Sequence, residues 1–267
     1  MVRTLLLTFL ASLFIPGVGY CQAEHHVSHK TVGIVERSDQ YVLPPNWPEP
    51  VEDSKPNYFL LSEVLEQRWK ESSQSVAWDL YGWYGGDYER LWLKTEGEVD
   101  TSNGLGEADL QALYGQLISN YFDFQAGLRV EEQWGKDDSD TRYFLSVGVQ
   151  GLAPYYFDVE PTIFLSDAGD LSARFTGTYD ILITQRLILQ PRLEFNAALQ
   201  DAEKYGIGSG FNDGSAGIRL RYEITRKIAP YVGLTYERLF GETASIASSE
   251  DESTRDWVFL VGLRVWL

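Results

Sequence analysis

The sequence contains very few side chains that form disulfide bonds or bind soft metal ions. Its 267 residues include one cysteine, Cys21, one methionine, Met1, and three histidines, His25, His26 and His29. If Cys21 is removed with a signal peptide, disulfide bonds, thiolate metal sites and cysteine nucleophiles are excluded from the mature chain. No histidine follows His29, which removes the common histidine-dependent hydrolytic dyads from the rest of the chain. We therefore predict that the protein is not an enzyme.

Long hydrophobic runs are also scarce. The mean hydropathy is −0.23, and no apolar run after the first twenty residues is long enough to cross a bilayer as a helix. The start itself combines Arg3, an apolar core from Thr4 to Ile15 and the small-x-small site Cys21-Gln22-Ala23. This pattern predicts a signal peptide over residues 1–23, cleaved after Ala23, and Sec-type export. Lipid attachment to Cys21 is the alternative, but lipoprotein signals place Gly or Ala where Tyr20 stands.

Basic residues are few in relation to acidic ones. The chain has 22 Lys and Arg against 39 Asp and Glu, which gives a formal net charge of −17. A chain with so little phosphate-neutralising surface is not expected to bind nucleic acid. It is expected to attract cations, although acidic loops that only keep the surface solvated would give the same composition.

Aromatic residues, in contrast, are abundant, and they recur at period two. In the stretch Trp257 to Leu267, every second residue from Trp257 is apolar, while Gly262 and Arg264 fall on the other face. A chain that ends on such a strand is typical of the closing strand of an outer-membrane barrel. A water-soluble β-sandwich could also contain this strand.

The same period repeats from Tyr58 onward and predicts about 12 strands. In the predicted fifth strand, for example, Phe122, Phe124, Leu128 and Val130 alternate with polar residues that include Arg129. Short and long connections also alternate, as in an outer-membrane barrel with both termini in the periplasm. We therefore predict an all-β protein, a transmembrane antiparallel up-and-down β-barrel over 57–267. The predicted strands are Tyr58 to Lys70, Val76 to Tyr84, Tyr88 to Glu98, Ala108 to Ile118, Phe122 to Glu131, Arg142 to Leu152, Tyr155 to Leu165, Leu171 to Ile183, Leu187 to Leu199, Ala216 to Thr225, Pro230 to Arg238 and Trp257 to Leu267.

Residues 24–56 carry five prolines and no apolar period, so we predict a disordered periplasmic arm. It contains the candidate metal ligands Glu24, His25, His26 and His29. Cleavage after Ala23 would place His26 third in the mature chain. The terminal amine, two amide nitrogens and the His26 imidazole could then form a square-planar set for Cu(II) or Ni(II). Three histidines in an arm can also be incidental.

Two loop motifs favour simpler interpretations. The run from Gly206 to Gly210 (GIGSG) resembles part of a nucleotide-binding loop, but no helical pattern follows it, so we interpret it as a flexible surface loop. The run from Asp137 to Asp140 (DDSD) lacks the glycine and the distal glutamate of a calcium loop, and we interpret it as a solvated loop tip.

Several longer runs resemble the copper resistance protein B family of outer-membrane proteins. They are WYGGDYERLWLKTEGE (83–98), GVQGLAPYYF (148–157), TQRLILQPRLE (184–194), GIGSG (206–210), LRYEI (220–224) and APYV (229–232). The resemblance covers nearly all of 58–267. It implies an outer-membrane barrel that acts in copper tolerance beside a periplasmic multicopper oxidase.

The sequence departs from the family pattern in two places. Family members commonly carry an N-terminal segment rich in Met and His, whereas this arm has no Met and one His cluster, and Leu267 stands where the family usually ends in an aromatic residue. We expect a copper-homeostasis barrel with outer-membrane lipid and copper ions as partners, copper as a weakly or transiently bound ligand, and no nucleic acid. The alternative is a structural or general-diffusion barrel without a metal role.

Overall fold

The computed structural model describes residues 55–71, 73–135, 139–249 and 253–267. These residues form one antiparallel sheet in which each strand pairs with the next along the chain, and the last strand pairs with the first. The sheet is therefore a closed barrel, as predicted. Its strands are β1 Asn57–Trp69, β2 Gln74–Gly85, β3 Glu89–Asp100, β4 Gly106–Ser119, β5 Phe122–Trp134, β6 Ser139–Ala153, β7 Phe157–Ser166, β8 Leu171–Thr178, β9 Ile181–Leu182, β10 Leu187–Ala198, β11 Gly210–Tyr222, β12 Ile228–Leu239 and β13 Arg255–Trp266.

The thirteen strand segments make twelve barrel strands, because β8 and β9 are two pieces of one strand that both pair with β10. The sequence predicted this strand as continuous from Leu171 to Ile183, and the break at residues 179–180 corrects that prediction. Opposite the break lies Pro191, whose carbonyl accepts a hydrogen bond from the Tyr179 N–H at 3.1 Å. Proline has no N–H to return, so the ladder is interrupted at this point.

The barrel closes where β1 meets β13. Leu60 and Leu267 exchange two backbone hydrogen bonds, of 3.2 and 2.9 Å, and the pairing continues to Trp69 opposite Phe259. Closure leaves no strand edge of this sheet unpaired, as the hydrocarbon of a bilayer requires. The prediction that the C-terminal strand pairs with the first strand is confirmed.

Side chains alternate between the two faces of the wall. On β5, Leu128 is 61% exposed on the outer face, whereas Gln125 and Arg129 are 3% and 8% exposed on the inner face. Along β13, Phe259 points outward while Leu260 is fully buried. The predicted lipid and lumen faces of these strands are confirmed.

The two ends of the barrel differ in their connections. Short turns join the strands at the end that carries Asn57 and Leu267, the periplasmic end in such a barrel, and the two longest connections, 199–209 and 240–254, lie at the extracellular end. Two strand starts differ from the prediction: β11 begins earlier, at Gly210 rather than Ala216, and β7 begins later, at Phe157 rather than Tyr155, because a short 3-10 turn precedes it. The connection after β12 contains a helix, α1 Gly241–Ser249, and the connection after β10 contains a second 3-10 turn, Glu203–Tyr205. No helix in the described part of the chain is long and apolar enough to cross a membrane.

Candidate functional site

The inner wall of the barrel surrounds two cavities of very different size. We call the larger one, of about 910 Å³, the outer vestibule; it occupies the extracellular half, and carboxylates outnumber arginines and lysines among the side chains that line it. We call the smaller one, of about 50 Å³, the inner chamber; it lies nearer the periplasmic end and is lined by residues such as Glu63, Lys94 and Asp158. Five charged residues line both cavities and form what we call the ion-pair floor, namely Asp79, Glu96, Asp109, Arg174 and Arg192.

The ion-pair floor crosses the lumen. Arg192 on β10 reaches Asp79 on β2 at 3.4 Å, and Arg174 on β8 pairs with Glu96 on β3. Neither pair joins neighbouring strands, so these side chains connect opposite parts of the wall. Asp109 is held from the side by Arg129 Nε at 2.5 Å. The floor thus separates the outer vestibule from the inner chamber with side chains that attract one another.

A second buried network ties the closing seam together. The Glu66 carboxylate accepts hydrogen bonds from Arg219 at 3.1 to 3.2 Å and from the Tyr231 hydroxyl at 3.0 Å. Glu66 lies on β1, whereas its two partners lie on β11 and β12, so Tyr231 must pass over β13. It does so at Gly262, where a Cβ atom would lie 2.4 Å from the Tyr231 ring. Glycine at this position gives the ring its space.

The periplasmic half of the lumen contains aromatic rings in addition to polar groups. The Phe59 ring centroid lies 6.3 Å from those of Tyr81 and Trp83. The Trp92 ring centroid lies 6.2 Å from that of Tyr81 and 6.4 Å from that of Trp83. The inner face of the wall is therefore not polar along all of its length. On β2, aromatic side chains stand on the inner face and apolar residues on the outer face, so alternation of polarity could not distinguish the two.

The connection 199–209 folds against the extracellular end of the vestibule. The Arg142 guanidinium lies 4.1 Å from the centre of the Tyr205 ring, and Lys204 forms an ion pair with Asp140. The hydrogen bond to Asp140 raises the pKa of Lys204. The Gly208 N–H donates to Thr243 Oγ1 of α1 at 3.0 Å. Gly208 is therefore buried, and the interpretation of this glycine run as a flexible surface loop is wrong at that residue because α1, absent from the predicted pattern, covers it.

The predicted metal ligands Glu24, His25, His26 and His29 all lie outside the described residues, so their grouping stays a prediction. Within the described ranges, no group of three or more His, Cys, Asp or Glu side chains is placed to hold a metal ion. Residues 57–267 contain no histidine, cysteine or methionine. Any metal held by the barrel would therefore have oxygen ligands from side chains.

Sequence reasoning identified most of the lumen charges but not their partners. Opposite charges on the polar faces of the predicted strands predict pairing between strands along one wall, and this is confirmed for Arg142 and Glu131 on adjacent strands at 3.5 Å. The sequence does not predict the pairs across the lumen, such as Arg192 with Asp79. No sequence signal specifies those pairs, because they depend on how the closed wall curves.

Comparisons with known proteins agree with this architecture. Residues 57–267 match the family model described as "Copper resistance protein B precursor (CopB)". The chain is 42% identical over 217 residues to "Copper resistance protein B" of Escherichia coli, which covers 81% of this chain and 71% of that protein. It is 41% identical over 216 residues to "Copper resistance protein B homolog" of Pseudomonas syringae pv. tomato, which covers 81% of this chain and 72% of that protein.

Among solved structures, the NanC porin aligns with a TM-score of 0.52 and 13% identity, over 77% of this chain and 98% of the porin. This likeness concerns the fold alone, and it agrees with a barrel of the outer-membrane type. The barrel, its closing strand and the match over its whole length lead to one conclusion: the chain belongs to the copper resistance protein B family of outer-membrane β-barrel proteins.

Proposed function

We propose that this protein acts in copper resistance as an outer-membrane barrel whose N-terminal arm binds Cu(II) in the periplasm. The barrel anchors the arm at the membrane, and the arm presents copper to a periplasmic partner. The protein itself performs no catalysis.

The proposal that the arm binds copper and the barrel anchors it rests on one observation: the nitrogen ligands suited to copper lie outside the barrel. Copper binds imidazole nitrogen and sulfur ligands well, yet residues 57–267 have no histidine, cysteine or methionine. The barrel offers carboxylates instead, and all three on the ion-pair floor form ion pairs with arginines. The three histidines all precede Asn57, where β1 begins at the periplasmic end.

The mature N-terminus Glu24-His25-His26 is the proposed copper site. Its free amine, two amide nitrogens and the His26 imidazole would fill a square plane, the geometry that Cu(II) prefers. Because the amides must lose protons, binding should weaken steeply in acid. His29 would be a secondary ligand outside the plane.

Titration of the mature full-length protein with Cu(II), followed by visible absorption, tests this site. The His26→Ala variant and an N-terminally acetylated form should lose the square-planar absorption band, whereas His29→Ala should keep most of it. Titration curves identical for the wild type and His26→Ala would contradict the proposal. So would an N-terminal sequence that shows cleavage anywhere but after Ala23.

The proposed partner is a periplasmic multicopper oxidase, since the family resemblance implies one and an arm at the periplasmic side could deliver Cu(II) to it. Surface plasmon resonance between the copper-loaded protein and such an oxidase would test the pairing. Binding that requires His26 would support delivery by the arm. Equal binding of the wild type and His26→Ala to the oxidase would show that the oxidase does not depend on the copper site for binding.

The second candidate function is a general-diffusion barrel, and the ion-pair floor argues against it. A diffusing solute would have to separate Arg192 from Asp79 and Arg174 from Glu96. We expect low conductance for the wild type in planar bilayers and a clear increase for the double variant Arg174→Ala/Arg192→Ala. A wild-type conductance as high as that of the double variant would favour diffusion.

A further inference from the structure

Two arginines stand directly opposite each other on the outer face of the wall, at its extracellular rim. Arg238 of β12 pairs in register with Arg255, the first residue of β13, and the register between these strands is unbroken up to this pair. Both side chains are exposed. Arg255 shares its face with Phe259, at an even spacing on the same strand, which is 49% exposed on the outer face. Residues 237–239 and 253–256 all border the vestibule, so the backbone contributes to its lining there whichever way a side chain points.

The surroundings of the Arg238 guanidinium place it on this outer face. It lies 5.2 Å from the centre of the Phe240 ring. An atom of that ring lies 3.3 Å from where a Cβ atom of Gly214 would stand, and Gly214 is the residue opposite Arg238 on β11. Side chains of directly opposite residues share a face, and Ile218, at an even spacing from Gly214, is 49% exposed on the outside. The guanidinium therefore points outward, away from the lumen.

The aromatic residues beneath the two arginines mark the level of the membrane interface. Tyr236 and Trp257 are the next pair on the same face, one step toward the periplasmic end, and their ring centroids lie 5.0 Å apart. Trp257 is 62% exposed. Exposed aromatic residues form girdles at both interfaces of a membrane barrel. The arginines stand beyond this pair by roughly 7 Å along the strands, so they lie at the level of the lipid headgroups of the outer leaflet.

No described carboxylate forms an ion pair with these two charges. The ion pairs of the described residues include neither Arg238 nor Arg255, whereas the arginines of the ion-pair floor, such as Arg192 with Asp79, are paired. Like charges directly opposite each other destabilise a sheet. An anion that contacts both guanidinium groups would remove this repulsion. The position therefore favours an anionic ligand, even though the chain as a whole carries a net charge of −17.

We propose that Arg238 and Arg255 together bind one phosphate monoester of a glycolipid in the outer leaflet. Such a phosphate carries a charge of about −1.5 to −2 at neutral pH and three acceptor oxygens. One group can therefore match two guanidinium charges and accept bidentate hydrogen bonds from them. The acyl chains of the lipid lie against the apolar residues of the same face, such as Leu234 and Phe259. The site is independent of the copper-binding arm and goes beyond the proposed function, because it gives the barrel a lipid-specific contact at the cell surface.

Titration of the full-length mature protein in detergent micelles with lipid A, followed by native mass spectrometry, tests the site. Lipid A carries phosphate monoesters on its sugars, and the same lipid without its phosphates is the matched probe. The wild type should bind the phosphorylated lipid at least about tenfold more tightly than the dephosphorylated one, because only the former accepts charge-assisted hydrogen bonds. Arg238→Gln/Arg255→Gln should lose this preference. Arg238→Lys/Arg255→Lys should bind with intermediate affinity, because lysine keeps the charge but not the bidentate geometry.

Arg186→Gln/Lys227→Gln is the matched control. Both residues are exposed in short turns at the periplasmic end, so this variant loses the same charge away from the proposed site and should keep the wild-type preference. Equal affinities of the wild type for the two lipids would overturn the proposal; this would be the result if the acidic residues 250–252, which lie outside the described residues, neutralised the arginines. An unchanged preference in Arg238→Gln/Arg255→Gln would overturn it as well. So would wild-type binding of phosphatidylglycerol, a phosphate diester, or of inorganic phosphate as tight as that of lipid A.

Discussion

Replacing Glu66 by leucine is the most informative test of how the lumen stabilises the closed barrel. Glu66 is 3% exposed, Arg219 is 8% exposed and Tyr231 is 3% exposed, so none of the three can turn to water when its partner is removed. The substitution leaves the Arg219 guanidinium buried without the carboxylate that accepts its hydrogen bonds. Removal of one member of a buried ion pair typically costs about 3 to 5 kcal/mol. We expect Glu66→Leu to lower the free energy of unfolding by that amount.

Urea unfolding of the barrel in lipid vesicles, followed by tryptophan fluorescence and extrapolated linearly to zero denaturant, measures this change. Adding Arg219→Met to Glu66→Leu should recover much of the loss, because an apolar pair no longer leaves a charge unpaired. The control is Glu223→Gln, whose partner Arg226 has a side chain that is 75% exposed. It should cost at most about 1 kcal/mol. A loss as small as the control's in Glu66→Leu would refute the reasoning that the network stabilises the seam.

Two further substitutions test the lipid face of the wall and the packing of Tyr231 over β13. Leu128→Arg places a charge on the lipid face and should cost roughly 2 to 4 kcal/mol, whereas Gln125→Ala on the inner face should cost only about 1 kcal/mol for its lost hydrogen bond; equal losses in unfolding experiments would contradict the assignment of faces. Gly262→Val places a Cβ atom 2.4 Å from the Tyr231 ring and should cost roughly 1 to 3 kcal/mol by overpacking. Gly86→Ala, which meets nothing within 4 Å, should leave the unfolding midpoint nearly unchanged.

The strands could be predicted from the sequence where one face of the wall meets lipid and the other meets charged or small residues. On β5, apolar residues alternate with polar residues and Gly127 from Phe122 to Glu131, and the predicted faces are those of the structure. Alternation fails to identify the inner face of β2, because Tyr81 and Trp83 face the lumen. It also misses α1, whose residues carry no period-two signal.

The candidate sites could be predicted less completely. The sequence shows which charges face inward but not which opposite residue each one meets, since Arg192 and Asp79 are 113 positions apart and meet only through closure of the barrel. The N-terminal ligands, in contrast, rest on the sequence alone and stay a prediction.

Growth in copper is the most direct test of the account as a whole. A strain that lacks the gene for this protein should be more sensitive to copper, and expression of the full-length protein should restore tolerance. A variant with His25, His26 and His29 changed to alanine should reach the outer membrane at the same level, as shown by its heat-modifiable migration in gels, yet fail to restore tolerance. Equal copper tolerance in the deletion strain, the complemented strain and the variant would contradict the proposal that the barrel anchors a copper-binding arm.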